Sequence, residues 1–263
     1  MKIGISTASL FMRLYNEDAV ALLSEWGIGT AEVFLTSYSE YEPRFAETLR
    51  RKKGKLPVNS VHVLNTQFEP QLFSEHPRVK SDAYALLEKV LSSAKILGAE
   101  NYTFHGLARL KSSFRENLSK SGEKLAEISS FCRERGVRLC LENVEWALYN
   151  RPSVFKTLKR YCPDLSGVLD IKQAVISGYP YGEYLDEMGR DIAYVHACDF
   201  DGDGKKRLAG QGRFDFEELF KRLRDTGFDG AVIIENYNED YRELKELKDS
   251  YDFLLEKAEK IFR

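Results

Sequence analysis

Short apolar, β-branched runs alternate with longer amphipathic stretches along the whole chain. The runs predict eight strands, at residues 2–6, 30–35, 58–64, 101–105, 137–143, 167–171, 192–198 and 230–236. Several, such as Val232-Ile233-Ile234, are nearly continuous in apolar character, as a strand covered on both faces must be. The intervening stretches carry helix signals. Asn16-Glu17-Asp18 precedes Val20, Leu22, Leu23 and Trp26, with Gly27 closing, which reads as a cap, acids in the first turn and a glycine stop. The pattern over 81–97 ends at Gly98 and that over 117–135 at Gly136. Asp215 is placed to cap a helix over 216–226 before Gly227, and a last helix spans roughly 240–261.

Each helical crossover returns the chain in the same direction, so repeated βα units lay parallel strands side by side. Eight units in 263 residues average about 33 each, the usual size in a (β/α)8 TIM barrel. An open doubly wound sheet is the alternative. Nothing resembling a linker or low-complexity segment divides the chain, so one α/β domain over residues 1–263 is expected.

Composition narrows the functional classes. Lys and Arg number 39 against 41 Asp and Glu, a formal net charge of −2, which gives no basic footprint for nucleic acid. No apolar run approaches the roughly 20 residues of a membrane helix, so no membrane partner is expected. Met1-Lys2-Ile3-Gly4-Ile5-Ser6 reads as a strand and not as a secretion signal. The four cysteines, Cys132, Cys140, Cys162 and Cys198, lack C-x-x-C spacing, so neither a disulfide framework nor a zinc ribbon is indicated. A cytoplasmic location is the expectation.

Chemistry collects near the C-terminal ends of the strands, where Glu32, His62, His105, Glu142, Asp170, His196 and Glu235 stand. In a barrel those ends face the mouth at which loops build the site. The two-residue period of a strand puts Glu142 with Cys140 on one face and Leu139 with Leu141 on the helix-packed face; Asp170, His196 and Glu235 likewise oppose Leu169, Val195 and Ile234. Carboxylates converging on one concave space repel, and a bound cation relieves them. Glu142, Asp170, His196 and Glu235 thus read as three oxygen donors and one imidazole for a single divalent ion. Mn²⁺ or Mg²⁺ suits the set best, with Zn²⁺ or Co²⁺ feasible. The plainer alternative pairs each acid with a basic loop residue.

The chain resembles the xylose-isomerase-like barrels, the superfamily of sugar phosphate isomerases and epimerases, inosose dehydratases and the family 2 apurinic endonucleases. The resemblance spans nearly all of it. It rests on Leu141-Glu142-Asn143, Leu169-Asp170-Ile171-Lys172-Gln173, Val195-His196-Ala197-Cys198-Asp199, Gly210-Gln211-Gly212-Arg213-Phe214-Asp215-Phe216 and Ile234-Glu235-Asn236. It implies that Glu142, Asp170, His196 and Glu235 match the shared metal ligands, and that Glu142 and Glu235 double as a proton-transferring pair. Where the family often has Asp-x-x-His after the sixth strand, this chain has Gln173, a poor transition-metal ligand that is expected instead to meet substrate. The nucleases use three zinc ions and many histidines; this chain has four histidines in all, and no Asp-x-His lies beyond the seventh strand.

Other residues are expected around the substrate. His62 and His105 should face the mouth, as hydrogen-bonding or acid–base groups, as relics of metal ligation, or as buried histidines satisfied by backbone carbonyls. His76 reads as a solvated loop residue. Lys172, two residues after Asp170, should point to the mouth, toward a substrate anion or carbonyl or toward a loop acid. Glu145 and Trp146 could line the pocket, with the indole as a flat apolar face for a sugar or simply as packing. Phe11 and Tyr15 are weaker candidates of the same kind. Residues 199–204 imitate the opening of an EF-hand loop, yet Gly210 stands where the bidentate Glu belongs and a strand, not a helix, precedes them. Gly210-Gln211-Gly212 lacks the third glycine of a dinucleotide fingerprint, although a phosphate cradle there with Arg213 remains open.

The function expected is metal-dependent isomerisation or epimerisation of a small sugar or related polyhydroxy carbonyl compound. It proceeds by proton abstraction to an enediolate stabilised by the ion. A dehydratase of an inosose-like substrate and a non-catalytic sugar-binding barrel are the alternatives, with an apurinic endonuclease less favoured. A small-molecule sugar is the expected partner, and a homo-oligomer is left open.

Overall fold

The computed structural model describes residues 1–109 and 116–262. Its strands are β1 Lys2–Ser6, β2 Thr30–Leu35, β3 Val58–Val63, β4 Asn101–Phe104, β5 Arg138–Glu142, β6 Ser166–Asp170, β7 Ile192–Ala197, β8 Asp199–Phe200, β9 Lys206–Arg207 and β10 Ala231–Ile234. The helices are α1 Asn16–Glu25, α2 Pro43–Lys52, α3 Pro77–Leu97, α4 Leu118–Glu134, α5 Val154–Lys159, α6 Ile171–Ile176, α7 Tyr181–Met188, α8 Phe216–Asp225 and α9 Leu244–Phe262. All strands but β8 and β9 close into one parallel barrel in the order β1-β10-β7-β6-β5-β4-β3-β2. This is the (β/α)8 barrel expected from the sequence and not the open sheet.

Strand parity decides what each face meets. Leu139, Leu141, Leu169, Val195, Val232 and Ile234 join the buried faces of the surrounding helices in one core. Cys140, Val168, Tyr194 and Ile233 alternate with them and form a separate cluster inside the barrel. The next inward position along β5, β6, β7 and just beyond β10 is Glu142, Asp170, His196 or Glu235, so the apolar plug ends where the chemistry begins.

Several helix ends follow the expected signals, but α3 begins at Pro77, ahead of the expected 81, and α9 at Leu244, after the expected 240. Asp215 Oδ1 accepts from the Glu218 amide at 2.9 Å and starts α8, whose stripe of Phe216, Leu219, Phe220 and Leu223 is buried. Gly98, at φ 75°, stops α3 in the left-handed region that glycine enters freely. Asn16, expected as the cap of α1, does not cap it. Its buried side chain accepts from Thr7 Oγ1 at 2.6 Å and donates to Phe34 O at 2.7 Å and Glu40 Oε2 at 2.9 Å, tying the ends of β1 and β2 together at the mouth.

The acidic stretch after β7 is an antiparallel hairpin, β8 with β9. Asp201 Oδ1 accepts from the Asp203 and Lys205 amides in its turn. Buried Asp199 accepts from the amides of Phe200, Gly210, Gly212 and Phe214 at 2.7–3.0 Å. The phosphate cradle left open at Gly210-Gln211-Gly212 is therefore ruled out, because the Gly210 and Gly212 N–H groups already hold a carboxylate and that of Gln211 donates to Leu208 O. The four cysteines are buried and free. Among the described residues no helix is long and apolar enough to cross a membrane.

Candidate active site

Four strand ends converge at the mouth. His196 Nδ1 lies 2.8 Å from Glu142 Oε1, 3.1 Å from Glu235 Oε2 and 3.8 Å from Asp170 Oδ2. One donor atom from each of the four lies within 4.8 Å of the others. Ligands on one ion at about 2.0–2.2 Å can be at most about 4.4 Å apart, so the set is within a few tenths of an ångström of a coordination shell. Barrel register explains the convergence, since Asp170 and Ile233, the latter two residues before Glu235, both stand opposite His196. Among the described residues no arginine pairs with these acids; the side chains that do meet them, His62, His105, His196 and Lys172, also belong to the site.

The chemistry of this donor set fits a divalent cation. His196 Nε2 lies 3.2 Å from Glu32 Oε2, which also accepts from Ser60 Oγ at 2.8 Å and Thr103 Oγ1 at 2.7 Å; Oε1 accepts from Ser6 Oγ at 3.0 Å. Glu32 stands in register with Ser6 on one side and Ser60 on the other, deeper in the barrel than a strand end. An Nε2–H donated to Glu32 leaves the Nδ1 lone pair aimed at three carboxylates, an acceptor among acceptors. Either a proton or a metal ion must sit there. Burial works against charge on His196, but Glu32, Glu235 and Glu142 outweigh it and raise its pKa well above the ordinary value. Burial would raise Glu235 as well, yet Lys172 and His196 hold it well below the usual carboxylate range. Asp170 goes the other way: burial raises it, and Lys172 only partly compensates.

His62 and His105 meet Nε2 to Nε2 at 3.0 Å. His105 Nδ1 lies 3.3 Å from Glu69 Oε2, so His105 donates there and accepts from His62. His62 Nδ1 makes no well-formed hydrogen bond, although Glu32 Oε1 and Glu235 Oε1 stand 3.4 and 3.5 Å away. Burial disfavours its charge, but the Glu32 and Glu235 carboxylates beside it bring it up to about 10. The two glutamates have matching surroundings. Each turns one oxygen to His196, while the other meets the histidine pair, Glu142 Oε2 at 3.3 Å from His105 and Glu235 Oε1 at 3.5 Å from His62. With Glu142, the histidines also form a triplet of ligand atoms within 4.8 Å, and His62 forms another with Glu32 and His196.

The cavity above has a volume of about 220 Å³ and is lined by His62, His105, Glu142, Trp146, Asp170, Lys172, Gln173 and Glu235. The Trp146 ring stacks on His105 at 5.5 Å between centroids and stays partly exposed. Gln173 Oε1 accepts from the Glu145 amide at 3.2 Å and so holds the loop that carries Trp146. Lys172 is buried between Asp170 and Glu235. Arg213 is set apart, exposed and lying against Gly202 outside this cavity. Glu145 and Tyr15 are exposed, and Phe11 reaches the site only through its edge contact with Phe34. His76 is exposed in its loop, as expected.

Sequence reasoning does not single out Phe34 and Tyr237, which line the cavity, or Glu69, which lies behind it. Glu69 is fully buried and accepts from Tyr102 Oη at 2.6 Å, the His105 amide at 2.9 Å and the Gly106 amide at 3.1 Å. It lies in an irregular loop, where no periodicity marks it. Thr103 and Tyr194 beneath Glu32 did leave a signal, as polar side chains at inward positions of buried strands.

Comparison with known proteins gives a consistent set of likenesses. A family model described as xylose isomerase-like TIM barrel matches residues 20–257. An uncharacterized protein of Methanocaldococcus jannaschii is 26% identical over 250 residues, covering 90% of this chain and 84% of that protein. Fructoselysine 3-epimerase of Escherichia coli O157:H7 is 24% identical over 176 residues, covering 64% of this chain and 63% of the enzyme. The crystal structure of a D-tagatose 3-epimerase-like protein superposes with a TM-score of 0.80 at 22% identity, covering 100% of this chain and 98% of the other.

Proposed function

The chain belongs to the xylose isomerase-like TIM barrel family, and from that premise we propose that it is a divalent-metal-dependent epimerase or isomerase of a small sugar or related polyhydroxy carbonyl compound. In this reading Glu142, Asp170, His196 and Glu235 hold the ion, with Mn²⁺ or Mg²⁺ favoured by the three oxygen donors. When bound, the ion polarises a substrate carbonyl and acidifies the neighbouring C–H.

The protein's own residues do the rest. Glu142 or Glu235 removes that proton, and the other returns one, to the opposite face for epimerisation or to the adjacent carbon for isomerisation. The observation that carries the reading is the bridge between the two glutamates. Their outer oxygens are joined by His105 and His62, 3.0 Å apart. After one turnover one glutamate holds a proton and the other lacks one. With the tautomers above, the histidine pair gives that proton one path: from Glu235 Oε1 to a neutral His62 at Nδ1, as the His62 Nε2 proton passes to His105 Nε2 and on to Glu142 Oε2. Trp146, Phe34 and Tyr237 give an apolar wall for the substrate's C–H face, and Gln173, His62, His105 and Lys172 give polar contacts for its hydroxyls. A volume of about 220 Å³ falls below the roughly 300–1,000 Å³ of sites for drug-sized ligands, so the substrate is small. The two relatives with 3-epimerase names point to a ketose altered at the carbon beside its carbonyl.

The test is proton exchange followed by NMR in deuterated water, over a panel of ketoses, inososes and sugar phosphates with added Mn²⁺. The wild-type protein should place deuterium beside the carbonyl of at least one sugar, without loss of water from the product. Glu235→Gln should abolish exchange while still binding some metal. Full activity in that variant would remove the mechanism, and an unsaturated product would make the chain a dehydratase.

A further inference from the structure

We infer that Lys172 is the internal counter-ion of the ligand cage and competes with the divalent ion for it, setting the metal affinity far below what the four ligands alone would give. This rests on the metal centre proposed above. Lys172 is the second residue of α6, which starts immediately after Asp170. Asp170 Oδ1 accepts from the Gln173 amide at 2.7 Å and caps the helix, and that anchoring turns Lys172 back over the mouth. Only 3% of the residue is exposed.

The oxygens it reaches decide the matter. Lys172 Nζ lies 3.5 Å from Asp170 Oδ2 and 3.4 Å from Glu235 Oε2. These are the same two oxygens that face His196 Nδ1 at 3.8 and 3.1 Å. An ammonium and a metal ion would thus share two donor atoms among largely buried side chains, where like charges repel more strongly than in bulk water. The cage is pre-neutralised without metal, and an entering ion must displace the ammonium from its oxygens. The face of Tyr237, 4.7 Å from Nζ, offers the ammonium a resting place beside the cavity. There its donors are free for a substrate oxygen, so metal binding and substrate recognition are coupled through one side chain.

The test compares Mn²⁺ binding to chelator-stripped wild-type, K172M and K172Q proteins by titration calorimetry, with circular dichroism to verify folding. Both variants should bind Mn²⁺ about tenfold more tightly or better, as the loss of a competing charge requires. Their metal-free melting temperatures should fall below that of the wild type, and added Mn²⁺ should raise them more. Equal or weaker Mn²⁺ binding in folded K172M and K172Q overturns the inference while leaving the metal centre intact. Failure of all three proteins to take up Mn²⁺ overturns the centre itself, and with it this role for Lys172.

Discussion

Glu32 lies at the floor of the site with its carboxylate fully enclosed, and its neighbours donate to it: Ser6, Ser60, Thr103 and His196. Burial alone would raise its pKa, but the charges on His196 and His62 hold it well below the usual range. Its task is to fix the ring of His196 so that Nδ1 faces the carboxylates. Glu32→Gln should therefore weaken Mn²⁺ binding by roughly 10–100-fold, the usual cost of losing an outer-shell partner. Calorimetry checks this, with circular dichroism to show that the barrel survives; unchanged affinity would contradict the role. At this scale the sequence revealed what strand parity carries. Glu142, Asp170, His196 and Glu235 are legible because two-residue alternation in β5, β6, β7 and β10 points them inward. Glu69 was not legible, because only the folding of the irregular loop after β3 places it behind His105. Arg213 shows the opposite failure, a suggestive neighbour of a glycine pair whose side chain lies off the cavity.

Among the elements, the tightest economy is at the junction of β6 and α6. Asp170 ends the strand, caps the helix and faces His196, so the helix cannot shift without moving that carboxylate. The loop after β9 is fixed by a comparable hub, Asp199 with its four backbone donors. Gly212 is packed so closely there that a Cβ would lie 2.3 Å from both Asp199 Oδ1 and Phe200 O. Gly212→Ala should destabilise the protein by about 1–3 kcal/mol, the usual cost of overpacking, measured by denaturant unfolding. A variant as stable as the wild type would show that this hub yields easily. The strands were readable from their apolar runs, while α2 was not. Only Ala46 and Leu49 are buried along its highly charged length, so it lacks the apolar run that marks the other elements. The β8–β9 hairpin is likewise too short, two residues a side, to stand out before the fold brings it together.

For the molecule as a whole, closure of the barrel is what turns scattered residues into a site. An open sheet would set β5 and β10 at different distances from the other strands; the closed order places Glu142 and Glu235 around one mouth, joined by His105 and His62. Runs such as Val232-Ile233-Ile234 predicted strands covered on both faces, and that requirement is met by helices outside and Cys140, Val168, Tyr194 and Ile233 within. The central claim is that this geometry gathers one divalent ion on four side chains. Elemental analysis of chelator-stripped protein reloaded with Mn²⁺ and desalted tests it most directly, run beside Glu142→Gln, Asp170→Asn and His196→Asn. The account predicts one ion per chain in the wild type and a marked loss in each variant. Wild-type protein that retains no metal, or variants that retain as much as the wild type, would contradict it.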